Sequence, residues 1–377
     1  MTRESLRMAF TGDIILDEPN PQDYFTLLDG ALADADLVVG HVEVPYARPE
    51  RAQVQDVRVP APPANPENLS ALADAGFDVV TLAANLVFDC GPNGVADTIS
   101  TLRQHGILTV GAGANIREAR QPAYVRRHGR SFGFLAYNCV GPTQSWASEE
   151  KAGCAYVFVP SEGENPLEVE GLTFGDCVKL MQDDVRAARR HVDVLSVSLH
   201  KGQVHRPVVV AEYERLLSRA AIDAGADIVI GHHAHILRGV EIYKNRPIFH
   251  GLGNFVTVTR ALAPTGGDGA LATYARERMK RFGFELDSAM PTYPFHPQSR
   301  NTMIACIEVR GGRIIPAVRP LWIDGHGRPV AVARNEGAEE VAHYIAGITD
   351  RAGLGATYEW SGDQRTLLVR AAAAKEN

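Results

Sequence analysis

The apolar run Ala226-Asp227-Ile228-Val229-Ile230 breaks directly into Gly231-His232-His233-Ala234-His235, so a buried strand delivers two or three imidazoles at its carboxyl end. The same arrangement recurs along the chain. Residues 6–16 read as a strand ending near Gly12-Asp13 and residues 35–44 as one ending near His41 and Glu43; residues 77–82, 107–110, 131–138, 194–200 and 228–232 follow as further strands. Helical patterns lie between them at 66–75, opened by Pro66 after Asn65, and at 93–104, 173–191 and 208–224. This βαβ rhythm predicts a largely parallel sheet with helices on its faces, in which ligands gather at the carboxyl ends of strands. Asp13, Glu43, Asn85, His200 and His233 all fall at or just beyond such ends.

The second half changes character. Residues 239–243 and 246–250 flank Lys244-Asn245 as a hairpin that runs into Gly251-Leu252-Gly253-Asn254-Phe255. Residues 302–310 and 313–318 form another antiparallel pair through Gly311-Gly312, and both hairpins are expected in a second sheet. Residues 257–300 are long for a connection and read as a lid or insertion, with a helix at 270–281 and the stiff aromatic stretch Pro291-Thr292-Tyr293-Pro294-Phe295-His296-Pro297. Residues 48–65, with the Pro60-Ala61-Pro62-Pro63 cluster, read as a surface loop, and the alanines at 371–374 as a frayed tail.

Charge and composition exclude several functions. A net charge of -7 with dispersed Lys and Arg offers no field for nucleic acid or acidic membranes. The five cysteines, Cys90, Cys139, Cys154, Cys177 and Cys306, are odd in number and mostly set in apolar runs, the pattern of reduced buried thiols. Neither a signal peptide nor about 18 consecutive apolar residues is present, so a cytoplasmic location is expected. Oligomeric state leaves no trace in the sequence.

Gly12-Asp13, the segment ending in Glu43 and Pro45, the 85–91 loop, His200-Lys201-Gly202, Gly231-His232-His233-Ala234-His235 and Gly251-Leu252-Gly253-Asn254-Phe255 occur in a diagnostic order. In that order they resemble the CapA-type family of poly-γ-glutamate capsule synthesis, whose fold is similar to calcineurin-like metallophosphatases. The resemblance covers about residues 6–255. It implies an α/β fold, a metallophosphatase-like α/β/β/α sandwich of two mixed sheets flanked by helices, as one domain over residues 1–377 with the 257–300 lid. The chain departs from the family at three places: His41-Val42-Glu43 replaces Asn-Leu-Glu, Ala84-Asn85-Leu86 replaces Asn-Asn-His, and His200-Lys201-Gly202 replaces His-Trp-Gly. Leu86 removes a histidine and Lys201 adds a cation, both of which disfavour a dinuclear metal centre.

A metal-poor version of this fold resembles the lasso-peptide epimerases that invert a C-terminal tryptophan. That resemblance implies a peptide epimerase, an isomerase free of metal and organic cofactor, acting on a ribosomal precursor peptide. Epimerisation needs acid/base groups on both faces of Cα and donors for the developing oxyanion. Asp13 and His296 are the expected catalytic pair. Glu43, Asn85, His200, Lys201, His233, His235 and Tyr293 are the expected substrate-binding residues, with Glu43 supporting Asp13 or replacing it as base. The alternative is a divalent-metal-dependent phosphoesterase or CapA-type hydrolase of capsule or cell-envelope metabolism, with Mn, Fe or Zn at Asp13, Asn85, His200, His233 and His235. Simpler roles stand beside these: Asp13 as a loop cap, His41 as a core histidine, Asn254 as a turn former and His232 as a group packed or hydrogen-bonded behind the site. His105, His128, His191, His205, His326 and His343 read as surface residues.

Overall fold

The computed structural model describes residues 5–55, 63–160, 169, 171–259, 273, 276–277 and 280–372. Strands β1 (Ser5–Leu16), β2 (Leu37–Val42), β3 (Val79–Thr81) and β4 (Leu108–Val110) pair side by side in parallel. β5 (Ala112–Gly113) pairs later with β8 (Gly153–Cys154), between which β6 (Ala123–Arg127) and β7 (Arg130–Asn138) form a hairpin. β7 lies parallel to β9 (Val194–His200), and β9 to β10 (Ile228–His232). β11 (Val240–Tyr243) and β12 (Arg246–Phe249) complete that six-stranded sheet in the order β11-β12-β10-β9-β7-β6. The remaining strands, β13 (Asn254–Val258), β14 (Asn301–Arg310), β15 (Arg313–Ile323), β16 (Pro329–Ala331), β17 (Ala356–Trp360) and β18 (Leu367–Ala371), join β1 to β4 in a ten-stranded sheet.

Helices Phe174–Arg189 and Glu212–Ala224 pack on the smaller sheet, and Gly91–Gln104 and Ala338–Arg351 on the larger. Thr173 caps the first through Asp176 N at 3.1 Å, and Asn65 caps the turn Pro66–Leu69 that leads into Ser70–Asp74. A hydrogen bond from His232 Nδ1 to Asp13 Oδ1, at 3.1 Å, ties the two sheets together where their strands end. The result is the expected α/β sandwich of two mixed sheets with flanking helices.

Four expectations change. β1 continues past Gly12-Asp13 to Leu16, because β14 pairs with it antiparallel as far as Phe10 and β13 takes over in parallel from Asp13. The two hairpins fall in different sheets, β11/β12 beside β10 and β14/β15 beside β1. The helix expected from 208 starts at Glu212, since Val208 has φ +73°. Thr257 and Val258, assigned to the lid, are buried strand residues. The helix expected at 270–281 lies mostly outside the described residues, as do the Pro60-Ala61-Pro62 part of the loop and residues 373–374 of the tail, whereas Ala371 closes β18. All five cysteines are free, and no helix among the described residues is long and apolar enough to cross a membrane.

Candidate functional site

The carboxyl ends of β1, β2, β9 and β10 converge on a cluster of two carboxylates and five imidazoles. Close backbone approach makes this possible. A Cβ on Gly12 would stand 2.1 Å from the Gly253 carbonyl oxygen, and one on Gly231 2.1 Å from that of His250, so glycine at both positions lets neighbouring chains close around the site. Asp13 N then donates to Gly253 O at 2.9 Å and Glu43 N to Ile14 O at 3.2 Å, fixing both acids on backbone.

Asp13 and Glu43 are buried, at 0% and 1% exposure. Asp13 Oδ1 lies 3.1 Å from His232 Nδ1, and its Oδ2 lies 3.4 Å from His235 Nδ1. Glu43 Oε1 meets His235 Nε2 at 3.1 Å. Asp13 Oδ2 and Glu43 Oε2 find no hydrogen-bond partner among the described residues. His235 Nδ1 also lies 2.9 Å from Asn254 Oδ1. A chain of rings runs alongside: Thr81 Oγ1 to His41 Nδ1 at 2.8 Å, His41 Nε2 to His200 Nδ1 at 3.0 Å, and His200 Nε2 to Asn85 Oδ1 at 2.9 Å. His41 stacks on His232 with centroids 4.3 Å apart, and His200 lies 4.6 Å from His233.

Burial decides most of the protonation states. It pushes His41, His232 and His233 down to about 3 and His200 well below the usual histidine range, so these four are neutral imidazoles. Burial raises Asp13, against the opposing pull of His235 and His41. His235 is the exception: burial lowers it, but Glu43, Asp13 and Asn254 together outweigh that and raise it. Two groups of donors lie close enough to share a cation, Glu43 with His200 and His233, and Asp13 with Glu43 and His235, the atoms of each within 4.8 Å of one another. Glu43 belongs to both.

Asp13, Glu43, Asn85, His200, His233 and His235 therefore meet. His41, read as a core histidine, is central; the signal was there, because Glu43, just past the end of β2, stands two residues from His41 in extended chain, the spacing that shares a face. Asn254, read as a turn former, opens β13 and binds His235 and, through Nδ2, the Tyr293 hydroxyl at 3.0 Å. Lys201 is corrected. It directly follows His200, the last residue of β9, and points the other way, where its ammonium lies 3.2 Å from Glu214 Oε2 and 3.2 Å from His250 Nδ1. It neither repels a cation nor binds a carboxylate in the cluster. Tyr293 is 3% exposed with its hydroxyl donated to Ser299 O at 2.8 Å, which makes it packing beneath the site rather than a contact for an indole. His296 Nδ1 accepts from Gln298 N at 3.0 Å and caps the turn Pro297–Arg300. His205, expected at the surface, is 3% exposed and lies 5.0 Å from both Phe282 and Phe284. His105, His128, His191, His326 and His343 are exposed.

The bacterial capsule synthesis protein PGA_cap family matches residues 7–259. The chain is 26% identical over 260 residues to the PGA biosynthesis protein CapA of Bacillus subtilis, covering 67% of this chain and 63% of that one. It is 28% identical over 265 residues to the capsule biosynthesis protein CapA of Bacillus anthracis, covering 67% and 60%. It thus spans about three fifths of the length of these curated relatives. A putative 5'-nucleotidase from Staphylococcus aureus aligns over 92% of this chain and 58% of its own, with 12% identity and a TM-score of 0.41. From the family match over two thirds of its length, the chain belongs to the bacterial capsule synthesis PGA_cap family.

Proposed function

We propose that the protein is a divalent-metal-assisted hydrolase, working on an anionic ester or amide of capsule or cell-envelope metabolism. One observation carries this: two three-residue donor groups meet at Glu43 while Asp13 Oδ2, Glu43 Oε2 and His233 Nδ1, all buried, have no hydrogen-bond partner among the described residues. Buried polar atoms left open cost free energy unless something completes them. Neutral imidazoles and carboxylate oxygens suit Mn, Fe or Zn, so the donor set fits a metal. Asp13, Glu43, His200, His233 and His235 would hold it. A cation there would supply Lewis acidity and lower the pKa of a bound water. The chain's own part is to keep His200 and His233 as neutral imidazoles by burial, to orient the donors through Thr81, His41, Asn85 and Asn254, and to exclude solvent with Phe295, 4.8 Å from His235.

Leu86, standing in place of the family histidine, supports a second chemistry, the metal-free inversion of Cα in a peptide. Asp13, its proton affinity raised by burial, would act as one base. His296, at the edge of the same aromatic layer with Nε2 still available, would act from the other face. One pair of measurements separates the two. Stoichiometric Mn, Fe or Zn in the purified protein, with hydrolysis of an aryl phosphate, supports the hydrolase. Metal-free protein that incorporates deuterium from heavy water at the C-terminal Cα of a peptide sinks it and establishes the epimerase.

A further inference from the structure

We propose that Arg238 is a seat for an oxyanion of the substrate, a carboxylate or phosphate. Its side chain is among the largest fully buried ones, at 0% exposure, and Gly251 makes room for it, since a Cβ there would stand 2.8 Å from Arg238 Cγ. Nη2 donates to the Gln203 carbonyl, whereas Nε and Nη1 find no acceptor among the described residues. A guanidinium has five N–H donors, and leaving those of a buried charge unpaired is costlier than leaving neutral ones. The carboxylate nearest in charge, Glu214, is already committed: Oε2 to Lys201 at 3.2 Å and Oε1 to Ala211 N at 2.9 Å. Two buried cations, Lys201 and Arg238, thus face one carboxylate, and an anion is the partner that balances them.

Position and access agree with this. Arg238 follows His235 by three residues on the segment that leaves β10, which keeps the seat close to the cluster along the chain. Gln203 belongs to the strap of residues 202–211, which runs from the end of β9 to the helix Glu212–Ala224 and meets the guanidinium through that carbonyl. The strap carries His205 at φ +57° and Val208 at φ +73°, a conformation unfavourable for a β-branched side chain. Lifting the strap frees Nη2 from Gln203 and relieves Val208 together.

The inference rests on the proposed site only in taking the cluster as the place of reaction, and its test needs no turnover. Full-length protein, as purified and after chelation, is melted against millimolar inorganic phosphate and, separately, glutarate. The melting temperature of the wild type is expected to rise with the logarithm of anion concentration. Arg238→Met is expected to lose the rise while melting no lower than wild type, because a buried unpaired cation is replaced by an apolar chain of similar length. Arg238→Lys keeps the charge and is expected to weaken binding by about tenfold. A response to phosphate alone points to a phosphate ester, and one to glutarate alone to a carboxylate-bearing chain; either supports the seat. Absence of response to both anions in both metal states overturns it, as does an unchanged response in Arg238→Met, or in Arg238→Lys should the methionine variant not fold. Anion binding by chelated protein that hydrolyses nothing leaves the seat standing and sinks only the hydrolase.

Discussion

Consecutive side chains at the end of β9, His200 and Lys201, enter two buried polar clusters that differ in how completely their carboxylates are satisfied. In the Lys201 cluster, Glu214 uses one oxygen on Lys201 and the other on Ala211 N, and Glu241 receives His250 Nε2 at 3.1 Å on one oxygen and Arg219 at 2.6 Å on the other. In the His200 cluster, Asp13 and Glu43 each keep an oxygen open. Buried charge by itself is therefore no sign of chemistry. A closed network locks backbone in place, whereas an open one is arranged for something that arrives later.

The sharpest way to break this comparison is to remove one acid from each side. Asp13→Asn is expected to lower hydrolysis by about 10³-fold or more and to abolish stoichiometric metal, while the protein melts within a few degrees of wild type. Retained metal and rate in that variant would make the open cluster a packing motif. Glu214→Ala strands Lys201 without a counter-ion in the interior, and urea unfolding is expected to report a loss of about 3–5 kcal/mol. Replacing both partners, Lys201→Met with Glu214→Leu, should restore most of it; an unfolding midpoint unmoved by Glu214→Ala would show that the closed network does not hold the fold. Asp17, just beyond the end of β1 and hydrogen-bonded by Thr259 Oγ1 at 3.2 Å, gives the smallest effect. Burial raises its pKa from 3.8 to about 6. The folded state then holds a proton that the unfolded state has lost, so stability falls as pH climbs between those values and stays lower above them. Asp17→Asn should flatten that fall, by about 1 kcal/mol after allowance for its partial exposure. Identical pH profiles for the two proteins would mean that Asp17 titrates as it does unfolded.

Local pattern carried the strands and the convergence of their ends. β9 and β10 match their expected bounds because short apolar runs flanked by helices admit little else, and Lys244 and Asn245, at φ +49° and +60°, form the expected turn. Partner choice was not legible. Nothing within residues 302–318 says that β14 will lie antiparallel to β1, since that register depends on residues some 300 positions away. At the site, period-2 alternation was the unused information: it separates His200 from Lys201 and joins His41 to Glu43. Asn254 was harder to place, because its role follows from β13 meeting β1, a tertiary event.

The change of partner along β1 has a consequence for how the molecule is made. Asp13 pairs with His41 of β2 on one side, but the strand on its other side begins at Asn254, and the rings that surround it come from positions 41 to 235. Contacts this distant in sequence form slowly. The pocket around the carboxylate is therefore complete only once β13 has docked beside β1.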